Sequence, residues 1–302
     1  MAAPSKSAPH RSGAVVVVDL FCGLGGFSYG AEAAGHRVAL AIDCDADALA
    51  YHRVNHPRAK HVQMALGKAA EASLHALISE VVEQGHRIHV HGSPPCTAFS
   101  TAGNGRGVNH HASDGMHHVR WFIEFVQELS PDSWSFENVC NPAIAAYLTS
   151  RGVRHANFNL SHYGVPQTRR RCLAGTGRLI DAMLHDRSLH PPRPTTPLDV
   201  LAPPPNAAYI RSSCGRRTRA WHRPLNVPTW CVLAGAKHMF TTADFRSIRE
   251  LSCRDLSALQ TFPPTHQLPS HMSTKRVRTR LLGNAVPPAI SERLLRPLGV
   301  HD

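Results

Sequence analysis

Eight cysteines are spread along the 302 residues, and one stands in a setting suited to nucleophilic chemistry. Cys96 lies in the segment GSPPCTAFS, residues 92–100. Pro94 and Pro95 stiffen the backbone just ahead of it. The segment follows a short apolar run, Ile88 to His91, so the thiol stands at a strand end, where open α/β sheets hold their ligands. A thiol there becomes a strong nucleophile once nearby positive charge or helix dipoles lower its pKa. Cys22, Cys140, Cys172 and Cys253 lack this context and read as structural thiols. No C-x-x-C pair occurs, so neither a zinc ribbon nor a disulfide scaffold is suggested. Reduced thiols of an intracellular protein fit best.

A second constellation begins at Asp19. Residues 19–26 read DLFCGLGG and join a strand to a helix. Glycines there let the backbone approach a ligand, and the helix N-terminus adds partial positive charge. Asp43 closes the next strand, about 20 residues past the glycine turn, a spacing suited to a ribose hydroxyl pair. The Lys-Ser/Thr of a phosphate loop is missing, so a nucleoside is expected rather than a triphosphate. Past Cys96, residues 101–113 (TAGNGRGVNHHAS) are polar and glycine-rich, long enough to close over a substrate. His110, His111, His117 and His118 have no acidic or thiol partner at ligand spacing, so a basic loop is expected there rather than a metal centre.

These groups need a scaffold, and the first half of the chain spells one. Residues 14–20 (AVVVVDL) read as a buried parallel strand. A small-residue helix ends at Gly35, Arg37 to Ile42 is the next strand, and Asp45 to Asn55 the next helix. Ile88 to His91 and Ser133 to Phe136 are further strands. Between them Met116 to Leu129 is helical, with Val119, Phe122, Ile123, Val126 and Leu129 on one face. This alternation predicts a doubly wound α/β sheet. The pattern breaks in the Pro- and Arg-rich stretch from His190 to Arg223, so Gly177 to about Phe245 reads as a separate, irregular, basic lobe. Regularity returns at Ser252 to Gln260, where Ser252 and Asp255 form a capping-box signature. Pro287 to Leu298 reads as a final helix.

The formal charge of +12 suits a polyanion, since each neutralised phosphate releases condensed counterions. No stretch approaches the run of about 18 apolar residues that a membrane helix needs. Residues 1–12 are small and polar and read as a disordered tail without a secretory segment.

Taken in order, the segments resemble the cytosine-C5 DNA methyltransferases. DLFCGLGGFSYG is similar to that family's cofactor loop, and Asp43 falls at its ribose acid. GSPPC-x-x-FS resembles its nucleophile loop and Phe136 to Val139 (FENV) its ENV segment. Tyr163 to Arg171 (YGVPQTRRR) resembles its Q-x-R-x-R segment. Leu256 to Pro263 (LSALQTFP) and Leu282 to Pro288 (LGNAVPP) are similar to its last two. The resemblance implies a Rossmann-like, mostly parallel class I methyltransferase sheet with a small target-recognition lobe. The catalytic domain would take residues 13–176 plus 275–302, and the lobe with its return segment 177–274.

It also implies S-adenosylmethionine as cofactor and double-stranded DNA as partner. Cys96 would add to C6 of a flipped cytosine. Glu137 would contact its N3 and amino edge, and Arg169 and Arg171 would brace the base carbonyl and help place Glu137 and the cofactor loop. Phe21 would stack on adenine, with Gly23 and Gly25 near the methionine part, Asp43 on the ribose and Asn284 near the amino-acid part. Asp19, Cys44, Pro95 and Val286 complete the implied cofactor pocket. A monomer located where DNA is, without a membrane and compatible with a restriction endonuclease partner, is expected.

One departure stands out. The family's acid that holds the adenine amine has no counterpart in HVQMALGKAA, residues 61–70, where Gln63 or a backbone group would have to substitute. A tRNA cytosine methyltransferase and a catalytically idle DNA-binding relative stay open as alternatives. A dehydrogenase would leave the Cys96, FENV and QTRRR segments without a role.

Overall fold

Four consecutive valines centre the fold. Side chains alternate faces along a strand, so Val16 and Val18 point one way and Val15 and Val17 the other. A computed structural model of the chain describes residues 14–95, 112–189, 193–213 and 221–299, and all four valines are buried in it. The tail 1–12, Cys96, His110, His111 and most of the loop between residues 101 and 113 lie outside the described residues.

The valines belong to β1 (Val15–Leu20), an interior strand of a seven-stranded sheet. The others are β2 (Arg37–Asp43), β3 (Lys60–Gln63), β4 (Arg87–Gly92), β5 (Ser133–Val139), β6 (Arg154–Asn159) and β7 (Arg170–Gly175). Their order is β3-β2-β1-β4-β5-β7-β6. The pairs among β1 to β5 are parallel, and β7 runs antiparallel to both β5 and β6. This is the doubly wound, mostly parallel sheet that the alternation predicts.

The helices that follow these strands are α1 (Gly26–Ala33), α2 (Ala46–Asn55), α3 (Glu71–Glu83), α4 (Ala112–Leu129), α5 (Pro142–Ser150) and α6 (Gly177–Leu189). Leu74, Ile78 and Val81 of α3, the Val119–Phe122–Ile123–Val126 stripe of α4, and Ile144 and Leu148 of α5 cover the Val16/Val18 face. Each such side chain, fully buried, contributes about 1.5–3 kcal/mol. Phe27 and Ala31 of α1 and Leu179, Ile180 and Met183 of α6 cover the Val15/Val17 face. That packing corrects the boundary at Gly177: α6 belongs to the large sheet, and the lobe begins beyond it.

The lobe is also more regular than its composition suggests. After the short α7 (Pro197–Val200) come β8 (Tyr209–Ser213), β9 (Trp221–Pro224), β10 (Lys237–Thr241) and β11 (Ser247–Glu250), an antiparallel sheet ordered β11-β10-β8-β9. These strands are four or five residues long, too short for apolar alternation to register. Helices α8 (Cys253–Leu259), α9 (Lys275–Asn284) and α10 (Pro288–Leu295) return the chain. The capping box at Ser252 and Asp255 starts α8. Leu281 and Leu282 of α9 share a core with Ile210, Phe240 and Leu251, so α9 sides with the lobe. Ile290 and Leu294 of α10 close over the Val15/Val17 face. Among the described residues no helix is long and apolar enough to cross a membrane.

Candidate active site

Parallel strands place all their C-terminal ends on one edge, and the glycine turn, Asp43, residues 92–95 and Glu137 arrive there. The glycine turn leaves β1 at Leu20. Phe21 (φ 60°), Gly23 (φ 53°) and Gly25 (φ 83°) turn the chain through the left-handed region, and the Cys22 amide bonds to the Ile42 carbonyl at 3.0 Å. Asp43, at the end of β2, accepts from the Gly23 amide through one oxygen and from the Asp45 amide through the other, both at 2.9 Å. Burial pushes its carboxyl up, and the two amides oppose this. The half-buried Phe21 ring has the edges of Trp121 and His118 near it, 6.1 and 5.8 Å between centroids. Cys44 is exposed beside Asp43.

The end of the chain meets this turn. A Cβ on Gly26 would lie 2.0 Å from the Val286 carbonyl, so only glycine permits the contact. Val286 is therefore buried against α1, with Asn284 exposed at the end of α9. The segment LGNAVPP lies beside the cofactor turn, although it follows the lobe in sequence. Gln63 pairs with Asp43 across β2 and β3. Its side-chain amide donates to the Cys44 carbonyl at 3.2 Å, and its Oε1 is an acceptor.

Asp19 sits beneath the turn and is fully buried. Its Oδ2 accepts from the Ser28 hydroxyl at 2.7 Å, while its Oδ1 has no hydrogen-bond partner among the described residues. Burial raises its carboxyl to about 7 against the opposing bond from Ser28, and nearby Asp43 adds to the rise.

The loop that carries Cys96 is anchored at its base. The Ser93 amide and hydroxyl donate to the Leu20 and Phe21 carbonyls at 3.3 and 3.2 Å, and Asn138 donates to the buried Pro94 carbonyl at 3.1 Å. Pro95 is exposed at the edge. On the neighbouring strand Glu137 is nearly buried. Arg171 Nε lies 2.8 Å from its Oε1, an ion pair off the line of a hydrogen bond, with side chains only 12 and 10% exposed. β5 and β7 hold the two side by side.

Residues 15–146 match the family described as C-5 cytosine-specific DNA methylase. That match spans β1 to β5 and the start of α5. The Type II methyltransferase M.AgeI of Thalassovita gelatinovora is 31% identical over 179 residues, which cover 54% of this chain and 40% of that protein. M1.HphI of Haemophilus parahaemolyticus is 24% identical over 340 residues, covering 92% of this chain and 84% of that one. The chain thus spans about two fifths of the first of these relatives and most of the second. The crystal structure of S. pombe Dnmt2 methyltransferase shares the fold, with a TM-score of 0.65 at 16% identity over 94% of this chain and 99% of that one.

The two odd-numbered arginines do different things. The expectation that both brace the base is corrected for Arg169, which is 2% exposed. Its Nη1 donates to the Val232 and Gly283 carbonyls at 3.3 Å and to Cys231 Sγ at 3.2 Å, and its Nη2 to the Ala285 carbonyl at 3.0 Å. Arg169 is a clamp between lobe and C-terminal segment, and of the two arginines Arg171 pairs with Glu137. Arg170 is exposed, as an extended backbone requires of the residue between them.

Three functional groups escaped the sequence reading. Gln167 accepts from the Val232 amide at 2.7 Å and donates to the Leu259 carbonyl at 2.6 Å, wiring the lobe to the sheet. Asn138 holds the Cys96 loop. Both lie inside recognised segments, but nothing in their spacing announces these bonds. Cys231 sits between Arg169 and Arg171. Burial raises its thiol, and the two guanidinium groups outweigh this and leave it below the usual 9.0. No motif surrounds Cys231, so only the fold finds it.

Proposed function

We propose that the chain is a DNA cytosine-5 methyltransferase that takes its methyl group from S-adenosylmethionine. One observation carries the reading. The Asn138 bond to Pro94 draws the base of the Cys96 loop onto the strand that bears Glu137, at the same sheet edge as Phe21 and Asp43. The Glu137 carboxylate and the glycine turn thereby meet the start of the segment whose sequence carries Cys96.

The residues fit the cofactor. Asp43 is a carboxylate at ribose height, Phe21 offers an aromatic ring, Gln63 an acceptor in place of the missing adenine acid, and Asp19 an unpartnered buried oxygen for a cation. When bound, S-adenosylmethionine supplies an electrophilic methyl group. Gly23, Gly25, Cys44, Pro95, Asn284 and Val286 line or support the same turn.

The chemistry follows from the residues present. A base in a duplex cannot expose C6, so the target cytosine is flipped out. The Cys96 thiolate adds to C6, and the ring electrons move to C5, which becomes nucleophilic. Glu137, fixed by Arg171, holds the base at N3 and its amino group and favours protonation at N3. After C5 gains the methyl group it loses its proton to a base, and the C5–C6 double bond re-forms as the Cys96 thiolate leaves. The lobe reads the DNA. It bears Trp221 and Phe245, each 52% exposed, beside Arg223, stacked 4.4 Å over Trp230, and the exposed Arg246. A catalytic unit made of the large sheet, its helices and the C-terminal segment, acting as a monomer on duplex DNA, completes the reading.

The test is transfer of a labelled methyl group from S-adenosylmethionine to duplex DNA, with tRNA in parallel, followed by bisulfite sequencing. Methylation at C5 of cytosine within one DNA sequence context is expected. Labelling of tRNA alone, or of neither, overturns the reading.

A further inference from the structure

A line of polar side chains runs from the surface to the floor of the cofactor turn, and no step described above uses it. His61 on β3 is half-buried. Its Nε2 lies 2.8 Å from His52 Nδ1 on α2, His52 Nε2 lies 3.1 Å from the Ser28 hydroxyl on α1, and that hydroxyl lies 2.7 Å from Asp19 Oδ2 on β1. Ser28 and His52 are completely buried.

The directions of these bonds follow from the end groups. An ionised Asp19 can only accept, so the Ser28 hydroxyl donates to it. The Ser28 oxygen then accepts from His52 Nε2–H. A neutral His52 that donates through Nε2 has a bare Nδ1, which accepts from His61 Nε2–H. His52 is held neutral because burial, with His56 and His61 adding to it, drives its pKa well below the ordinary value. All three donors therefore point inward. They converge on a carboxylate whose other oxygen has no partner, and no cationic side chain pairs with Asp19 among the described residues.

We propose that Ser28, His52 and His61 form a hydrogen-bonded chain that sets the charge of Asp19, so that the affinity for the cationic methyl donor rises with pH. This rests on S-adenosylmethionine being the ligand of the turn. The donor carries positive charge on its sulfonium and its ammonium groups, and Asp19 lies directly under the turn that faces them. A proton and the cation compete for one buried carboxylate.

The sign follows. Without ligand the Asp19 carboxyl titrates at about 7, raised by burial. A bound cation favours the carboxylate. Below pH 7 binding must expel a proton and weakens, by up to about tenfold per pH unit. Above that range affinity is flat. His61 acts as a positioning residue: its N–H fixes the tautomer of His52. Without that donor His52 can carry its proton on Nδ1, the Ser28 hydroxyl turns to the bare Nε2, and Asp19 loses that hydroxyl and keeps only the smaller contribution of the Ser28 backbone. The other titratable groups around the chain are Asp43 on β2, Arg53 and His56 on α2, Glu32 of α1, bound to His56 at 3.0 Å, Cys22 in the turn and His91 of β4, which pairs with Asp19 in register. None of these bonds to Asp19 among the described residues, which leaves Ser28 as its direct contact.

Isothermal titration of the full chain with S-adenosylmethionine from pH 6 to 9, in buffers of different ionisation enthalpy, tests this without any activity assay. The wild type should release close to one proton at pH 6 and almost none at pH 8.5. Ser28→Ala should move the midpoint upward by about one pH unit, which is about tenfold weaker binding at pH 6.5 with little change at pH 9. His61→Phe should shift it the same way. His61→Gln, whose amide supplies an N–H to His52, should restore the wild-type profile. No proton release by the wild type at pH 6 overturns the proposal independently of any variant, and so do superimposable profiles for wild type, Ser28→Ala and His61→Phe. If S-adenosylmethionine fails to bind the wild type across the whole range, the cofactor assignment is what falls.

Discussion

Replacing Arg169 should cost stability before it costs chemistry. Its guanidinium contacts three carbonyls and one sulfur, all at the seam of sheet, lobe and C-terminal segment. Arg169→Met keeps most of the stem and removes every donor. Each carbonyl left unpaired in a buried site costs about 1–3 kcal/mol, so three put the loss at up to about 9 kcal/mol. The variant also escapes the penalty of burying a cation, which is several kcal/mol. That penalty is real here, since burial holds the Arg169 pKa below its usual value. A net loss of about 3–4 kcal/mol is expected. With about 2.1 cal/mol/K per residue of unfolding entropy over 302 residues, this lowers Tm by about 5–6 °C. Guanidinium unfolding followed by tryptophan fluorescence measures it, with Trp230 next to the clamp as a reporter. Arg171→Lys, which keeps the charge beside Glu137 but not the planar fork, should stay within about 1 kcal/mol of wild type and lose methylation instead. Arg169→Met unfolding within 1 kcal/mol of wild type while losing methylation would refute the division between clamp and active-site arginine.

Cys96→Ala should abolish methylation and covalent trapping on DNA containing 5-fluorocytosine, read on a denaturing gel, and any trapping that survives removes Cys96 as nucleophile. Asp43→Ala should weaken S-adenosylmethionine binding by about 1.5–3 kcal/mol, the worth of hydrogen bonds to a charged group; calorimetry showing an unchanged Kd contradicts its place on the ribose. Trp221→Ala and Phe245→Ala, both exposed, should leave folding and cofactor affinity alone and weaken binding to cognate duplex DNA at least about tenfold in a filter assay. Full retention of DNA affinity would move the recognition surface elsewhere.

How much of this was legible in the sequence depends on the range of the interactions involved. The sheet was, because a buried parallel strand such as Val15–Leu20 declares itself by local composition, and the stripe of α4 by its period. The positions of the glycine turn and Asp43 were, because they are set by a strand end and a spacing of about 20 residues. The lobe sheet was not: β8 to β11 are four or five residues long, and their burial is shared with the later helices α8 and α9. Helix α6 was misassigned because an amphipathic stretch does not state which face it will meet. The chain from His61 to Asp19 was invisible for the same reason, since it joins four elements through side chains that carry no motif.

The arginines show how such long-range contacts can govern a local site. Arg169 and Arg171 lie two residues apart, so an extended backbone sends both to the same side, where Cys231 lies between them. What separates them is depth. At Arg169 the chain is still passing under the lobe, where Val232, Gly283 and Ala285 turn carbonyls inward and a guanidinium can meet all of them. Two residues later β7 has reached the open edge, and the next guanidinium finds Glu137. Gln167, two residues earlier still, bonds to Val232 and Leu259. One short segment therefore fixes the lobe at its start and the active-site carboxylate at its end. A shift of the lobe would strain the strand that orients Glu137. On the proposed reading, recognition of the duplex and binding of the flipped base depend on the same few residues.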